Sequence, residues 1–105
     1  MDRTSGFLSD RLRLFRKAAP LVPRGATFTV RGRGDDDDMA MFMLALGVLP
    51  GRKANPHTYF GGFPNLEQES RYILDATCGE YDPREVRLVR KFDEGCVYER
   101  FGTRP

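Results

Sequence analysis

The sequence predicts a small α+β domain, three helices with a three-stranded antiparallel sheet in the order α-β-α-α-β-β, ending in a C-terminal β-hairpin. Three observations predict it. Leu8, Leu12, Phe15 and Ala19 recur at helical spacing. Ala26, Phe28 and Val30 alternate with Thr27, Thr29 and Arg31. Two alternating runs flank Asp93-Glu94-Gly95. A chain of 105 residues is of a size that forms one core, so residues 1–105 are read as a single compact domain.

Each element has local reasons. Over residues 5–19 the apolar stripe leaves Arg11, Arg13, Arg16 and Lys17 mostly on other faces, which predicts an amphipathic helix with a basic outer side. Pro20 and Pro23 stop it. The run of β-branched and aromatic residues after Gly25 reads as a half-buried strand. Gly32-Arg33-Gly34 breaks that strand, and Asp35, Asp36, Asp37 and Asp38 lead into an apolar stretch to Leu49. Aspartates near a helix N-terminus meet the positive end of its dipole, so a helix begins within that run. It is apolar on every side, which a small domain has difficulty enclosing; residues 39–49 are therefore also a candidate homodimer contact.

Residues 50–65 hold Pro50, Pro56, Pro64, Gly51, Gly61 and Gly62 with no periodicity, and read as a long loop. Asn65 with Gln68 resembles a capping box before Leu66, Ile73, Leu74 and Thr77, which predicts a helix over residues 65–78. A strand over residues 72–77 is the competing reading. The last segment, Val86 to Phe92 and Cys96 to Phe101, is the predicted hairpin with a glycine-containing three-residue turn.

The order of these elements is similar to that of a winged-helix domain, a resemblance of topology only. It would make the third helix the one that enters the major groove and the hairpin the wing. The chain departs from that pattern in its long connection between the second and third helices, and in the acidic Glu67, Glu69 and Asp75 beside a single Arg71.

A net charge of +2 conceals segregation. Residues 1–33 carry eight basic side chains against two acidic ones, residues 34–82 three against nine, and residues 83–105 six against four. Such asymmetry points to a charged partner or to pairing between the segments. No apolar run reaches the roughly 18 residues of a membrane span, and the N-terminus lacks a secretory layout. No membrane contact and a cytoplasmic location are expected.

Catalytic constellations lack members. With one His and two Cys there is no Cys-x-x-Cys spacing and no full zinc ligand set. His57 has no neighbouring thiol in sequence. Cys78 and Cys96 would pair only in an oxidising compartment, of which the sequence gives no sign. Gly32-Arg33-Gly34 stands where a phosphate loop would stand, but it lacks the third glycine and the Lys-Ser/Thr pair, and aspartates follow it. No cofactor is expected, and no enzymatic activity.

The expectation is a binding protein, an inhibitor or adaptor that contacts a protein or nucleoprotein complex, as small solo domains from phage and mobile elements do. Its candidate contacts are Asp35, Asp36, Asp37 and Asp38 with the loop aromatics Tyr59, Phe60 and Phe63. The aspartates also read as helix caps, and the aromatics as a lid on the core. The alternative is a nucleic-acid-binding regulator using Arg11, Arg13, Arg16 and Lys17 with Arg87, Arg90, Lys91 and Arg100.

Overall fold

The computed structural model describes residues 3–55 and 70–101, and the side chains among them from residue 9 onward except that of Asp35. Helix α1 (Arg3–Ala18) continues into a short 3-10 turn (Ala19–Leu21) and is followed by β1 (Thr27–Arg31), α2 (Asp35–Val48), β2 (Lys53–Asn55), β3 (Tyr72–Asp75), β4 (Val86–Phe92) and β5 (Gly95–Arg100). The five strands form one sheet in the order β2-β1-β3-β5-β4. β1 runs parallel to both β2 and β3, while β5 is antiparallel to β3 and β4.

Parallel neighbours require a return connection, and α2 is the return between β1 and β2. Gly51, with φ 80°, turns the chain out of α2. The Arg52 guanidinium then donates to the carbonyl oxygens of Val22 at 2.8 Å and of Ala19 and Pro50 at 2.9 Å. These bonds satisfy backbone acceptors where the α1 and α2 segments end.

Both helices pack on one side of the sheet. Leu14, Phe15 and Ala18 of α1 and Met41, Phe42 and Ala45 of α2 meet Phe28, Val30, Tyr72, Leu74 and Val97. The buried side of α1 runs through Arg11, Leu14, Phe15 and Ala18, with Leu12 half-exposed. It is thus rotated from the stripe expected on Leu8, Leu12, Phe15 and Ala19. An ion pair explains the rotation. Arg11 donates from Nη2 to Asp37 Oδ2 at 2.7 Å and from Nε to Oδ1 at 3.2 Å, so a charged residue occupies the core side at the head of α2.

The other side of the sheet is covered by the segment 76–85. Ile73, Val86, Cys96 and Tyr98 form its small core, with Cys78 and Tyr81 packed on them. Asp75, fully buried at the end of β3, organises the cover. Its carboxylate accepts from Thr77 N–H at 2.8 Å, Thr77 Oγ1 at 2.7 Å, Gly79 N–H at 3.0 Å and the Tyr81 hydroxyl at 2.7 Å. A disulfide joins Cys78 to Cys96, with Cα atoms 5.1 Å apart, and Cys78 takes a left-handed conformation at φ 50°.

Several expectations are corrected. The described chain has two helices and five strands in a mixed sheet, where three helices and three antiparallel strands were expected. Residues 72–75 are a strand and not the end of a helix over 65–78; residues 65–69 lie outside the described residues. β3 lies between β1 and β5 and is buried along its whole length. Its apolar residues therefore show no alternation, and their spacing also fits a helix. β2 falls in the segment expected to be all loop, because three residues held by main-chain pairing with β1 need no hydrophobic pattern. The parallel β2 and β3 also remove the winged-helix order. The C-terminal hairpin stands as expected, but its connection is two residues, since Phe92 pairs with Gly95. A β-carbon on Gly95 would lie 2.7 Å from Asp75 O and 2.9 Å from Ala76 Cα, so only glycine fits. Among the described residues no helix is long and apolar enough to cross a membrane.

Candidate nucleic-acid interface

The aspartate run is largely consumed by its own helix. Asp37 Oδ2 accepts from Arg33 N–H at 2.7 Å while the same carboxylate holds Arg11, and buried Asp38 accepts from Gly32 N–H. The glycine loop after β1 does form an anion-binding turn, and its anions are these two carboxylates. A side chain on Gly32 would collide with Asp37. Asp36 is exposed; the side chain of Asp35 is outside the described set. Tyr59, Phe60 and Phe63, together with His57, also lie outside the described residues. The partner surface expected from aspartates and aromatics thus reduces, among the described side chains, to Asp36.

The basic residues divide differently. Arg11 is spent on Asp37. Arg13, Arg16 and Lys17 project from the exposed side of α1. Strand alternation decides the rest. Val97 faces the helices, so Glu99, two residues on, faces that side too, as do Arg87 opposite Glu99, Arg90 opposite Val97, and Phe92, which packs against the helix-side core. Lys91, opposite Cys96, points to the other side.

Helix α1 and the hairpin meet at Glu94. Lys17 Nζ donates to both Glu94 carboxylate oxygens, at 2.8 and 3.1 Å, and Arg13 Nε lies 3.4 Å from Oε2. Five residues along β5, Glu99 is held in the same way, by Arg87 Nη2 at 2.6 Å and Arg71 Nη2 at 3.0 Å. Lys17 and Arg90 both stand at the Phe92 ring, 5.6 and 5.7 Å from its centroid.

Each glutamate is therefore wrapped by two cations, and exposure sets the sign of the resulting surface. The Glu94 and Glu99 side chains are 11% and 12% exposed, whereas those of Lys17, Arg13, Arg71 and Arg87 are 43%, 53%, 56% and 65% exposed. The Glu99 triad carries one net positive charge and turns it outward, whereas at Glu94 the second charge of Arg13 is shared with exposed Asp10, one helical turn before it, and the outward cation there is Lys17. Lys17 holds the Glu94 carboxyl below the ordinary glutamate range, and Arg87, then Arg71, does the same for Glu99 against a smaller opposing effect of burial. Both carboxylates stay ionised at neutral pH and fix their cations in place. Arg16 adds an exposed cation with no ion-pair partner among the described residues. Five residues of antiparallel strand separate the triads by roughly 17 Å, the axial rise of about five base pairs of a duplex.

The sequence carries a signal for part of this arrangement, the basic face of α1 and the alternating cations of the hairpin. It carries none for Arg71 and Glu99, which become neighbours only through the pairing of β3 with β5. The cysteines are bonded to each other and none is free, so the structure holds no thiol for a nucleophilic scheme with His57. Among the described residues no group of three or more His, Cys, Asp or Glu could hold a metal ion. No family model, curated protein or solved structure matches this chain.

Proposed function

We propose that the protein is a non-enzymatic nucleic-acid-binding protein that contacts the phosphate backbone through the exposed side of α1 and the helix-facing side of the β4–β5 hairpin. The observation that carries this reading is the pair of triads, in which the carboxylates are shielded and the cations face solvent. Exposed ion pairs contribute little stability, so phosphates compete for these cations at small cost. The carboxylates hold the guanidinium and ammonium groups in position before binding, which lowers the cost of ordering them. Contact with a protein through the aspartate run has less support, because Asp37 and Asp38 are engaged within the fold.

Backbone contact predicts dependence on salt more than on sequence. With about four phosphates neutralised, affinity for a labelled duplex should fall on the order of 10²-fold between 50 and 200 mM salt. Replacing Arg16 and Arg90 with Ala, neither of them held by a carboxylate, should lower the salt slope by about two units while leaving the fold intact. Fluorescence anisotropy with duplex and single-stranded probes makes the measurement. Absence of binding to both at low salt, or binding insensitive to salt, overturns the reading and returns attention to a protein target.

A further inference from the structure

Helix α2 leaves one side uncovered. Its outward positions are Asp36, Met39, Ala40, Met43, Leu46 and Gly47, all exposed, and only Asp36 is charged. Met39, Met43 and Leu46 are 45%, 62% and 55% exposed, three of the five large apolar side chains most open to solvent among the described residues. A solvated helix would carry Lys, Glu or Ser on such a stripe. This surface lies on α2, away from the basic residues of α1 and the hairpin, and the inference drawn from it is independent of the nucleic-acid reading.

The two ends of the stripe carry opposite charge. Asp36 stands at the N-terminal end. At the other end, Gly25 N–H donates to Gly51 O at 2.7 Å, which brings the neighbouring Arg24 to the end of α2, where its aliphatic stem lies over Gly51. Arg24 is exposed and has no ion-pair partner among the described residues, and Arg52 adds a second guanidinium there. Met43 lies between the two ends of the stripe. Asp36 is seven residues before it, about 10 Å along the helix at 1.5 Å per residue, and α2 closes at Val48, five residues after it, with Gly51 and the Arg24 stem just beyond.

We infer that the α2 stripe is covered by the α2 stripe of a second copy of this chain, packed antiparallel about a two-fold axis at Met43, with Asp36 of each copy beside Arg24 of the other. A two-fold contact requires a self-complementary surface, and an apolar stripe with opposite charges at its two ends meets that requirement only in the antiparallel sense. A parallel pair would place Asp36 against Asp36 and Arg24 against Arg24. Ala40 and Gly47 let the helices approach closely, unbranched Met39 and Met43 adapt to the facing ridges, and the antiparallel sense also opposes the helix dipoles favourably.

Sedimentation equilibrium of the full chain, as a concentration series, tests the inference. The wild type should have twice the chain mass at micromolar concentration. Met43→Glu places two like charges against each other at the axis and should weaken association by at least about 10²-fold. Circular dichroism should be unchanged, because Met43 supports no core contact. Asp36→Arg alone and Arg24→Asp alone should each weaken the dimer, and the double exchange should restore it. A wild type that remains monomeric to about 100 µM overturns the inference. Association that survives Met43→Glu, or a double exchange that fails to restore it, overturns it as well. Nucleic-acid binding by the Met43→Glu variant is a separate readout on a separate surface.

Discussion

The two faces of the sheet are covered by different physical means. On the helix side, large apolar groups of α1 and α2, Phe15, Leu14 and Met41, meet Phe28 and Leu74, and burial of hydrocarbon area holds the layers together. On the opposite side, segment 76–85 has little apolar surface of its own. It is held by one carboxylate with four donors, by the Tyr98 hydroxyl donating to Gly79 O at 3.0 Å and by one covalent bond. The first cover depends on total volume and pattern and tolerates adjustment in many places. The second depends on a few atoms, and each of them is a point of failure.

That contrast yields predictions in descending size. Phe28→Ala empties a fully buried position at the centre of the helix side and should cost about 4 kcal/mol, with both covers lost in a single transition in urea. A broad, two-step transition would mean that the covers unfold separately. Replacing both cysteines with Ala should cost about 3 kcal/mol, as expected for a cross-link between residues 18 apart, and should raise amide exchange over 76–85 while α1 and α2 keep their protection. Equal loss of protection on both faces would break the distinction. Asp75→Asn keeps the size of the side chain but puts an NH2 group in place of the oxygen that accepts two of the four bonds, and should cost about 2 kcal/mol with the same local signature.

The smallest effect concerns pH. The carboxyl groups of Glu94 and Glu99 are depressed in the folded protein by Lys17 and Arg87. Their contribution to stability is present above the ordinary glutamate value of 4.5 and is lost as pH falls through their lower folded values. The urea midpoint of the wild type should therefore fall more steeply below that pH than the midpoint of a Glu94→Gln/Glu99→Gln variant. Parallel slopes would mean that the two triads add charge to the surface without adding stability.

Legibility followed the range over which each interaction acts. Helices α1 and α2, strand β1 and the β4–β5 hairpin were readable because period and punctuation lie within a few residues: Pro20 after α1, Gly51 after α2, Asp93-Glu94-Gly95 between β4 and β5. The side of α1 that would be buried was not, because Arg11 is acceptable in the core only with Asp37, 26 residues away. The glycine loop was readable as a turn followed by aspartates, and the structure adds that Asp37 and Asp38 accept its N–H groups. The basic candidates were half readable. Arg13, Arg16 and Lys17 belong together by helical spacing, but their meeting with Phe92, Arg90 and Glu94 depends on where α1 crosses the sheet.

By itself the sequence determined the local elements, the segregation of charge and the absence of a complete metal or nucleotide motif, since each depends on residue type and short spacing. Only the tertiary structure decided that β3 is a strand, that β1 is flanked by two parallel neighbours, and that Cys78 meets Cys96. It also decided, among the described residues, which charges meet. Arg11 of the basic end pairs with Asp37 of the acidic middle inside the fold, while Arg71 and Arg87 outnumber Glu99 and face outward, and Lys17 and Arg13 share Glu94 with Arg13 also held by Asp10. The reason is the same in each case: such contacts join residues far apart in the chain, and their sign depends on which atoms the packing buries and which it leaves in water.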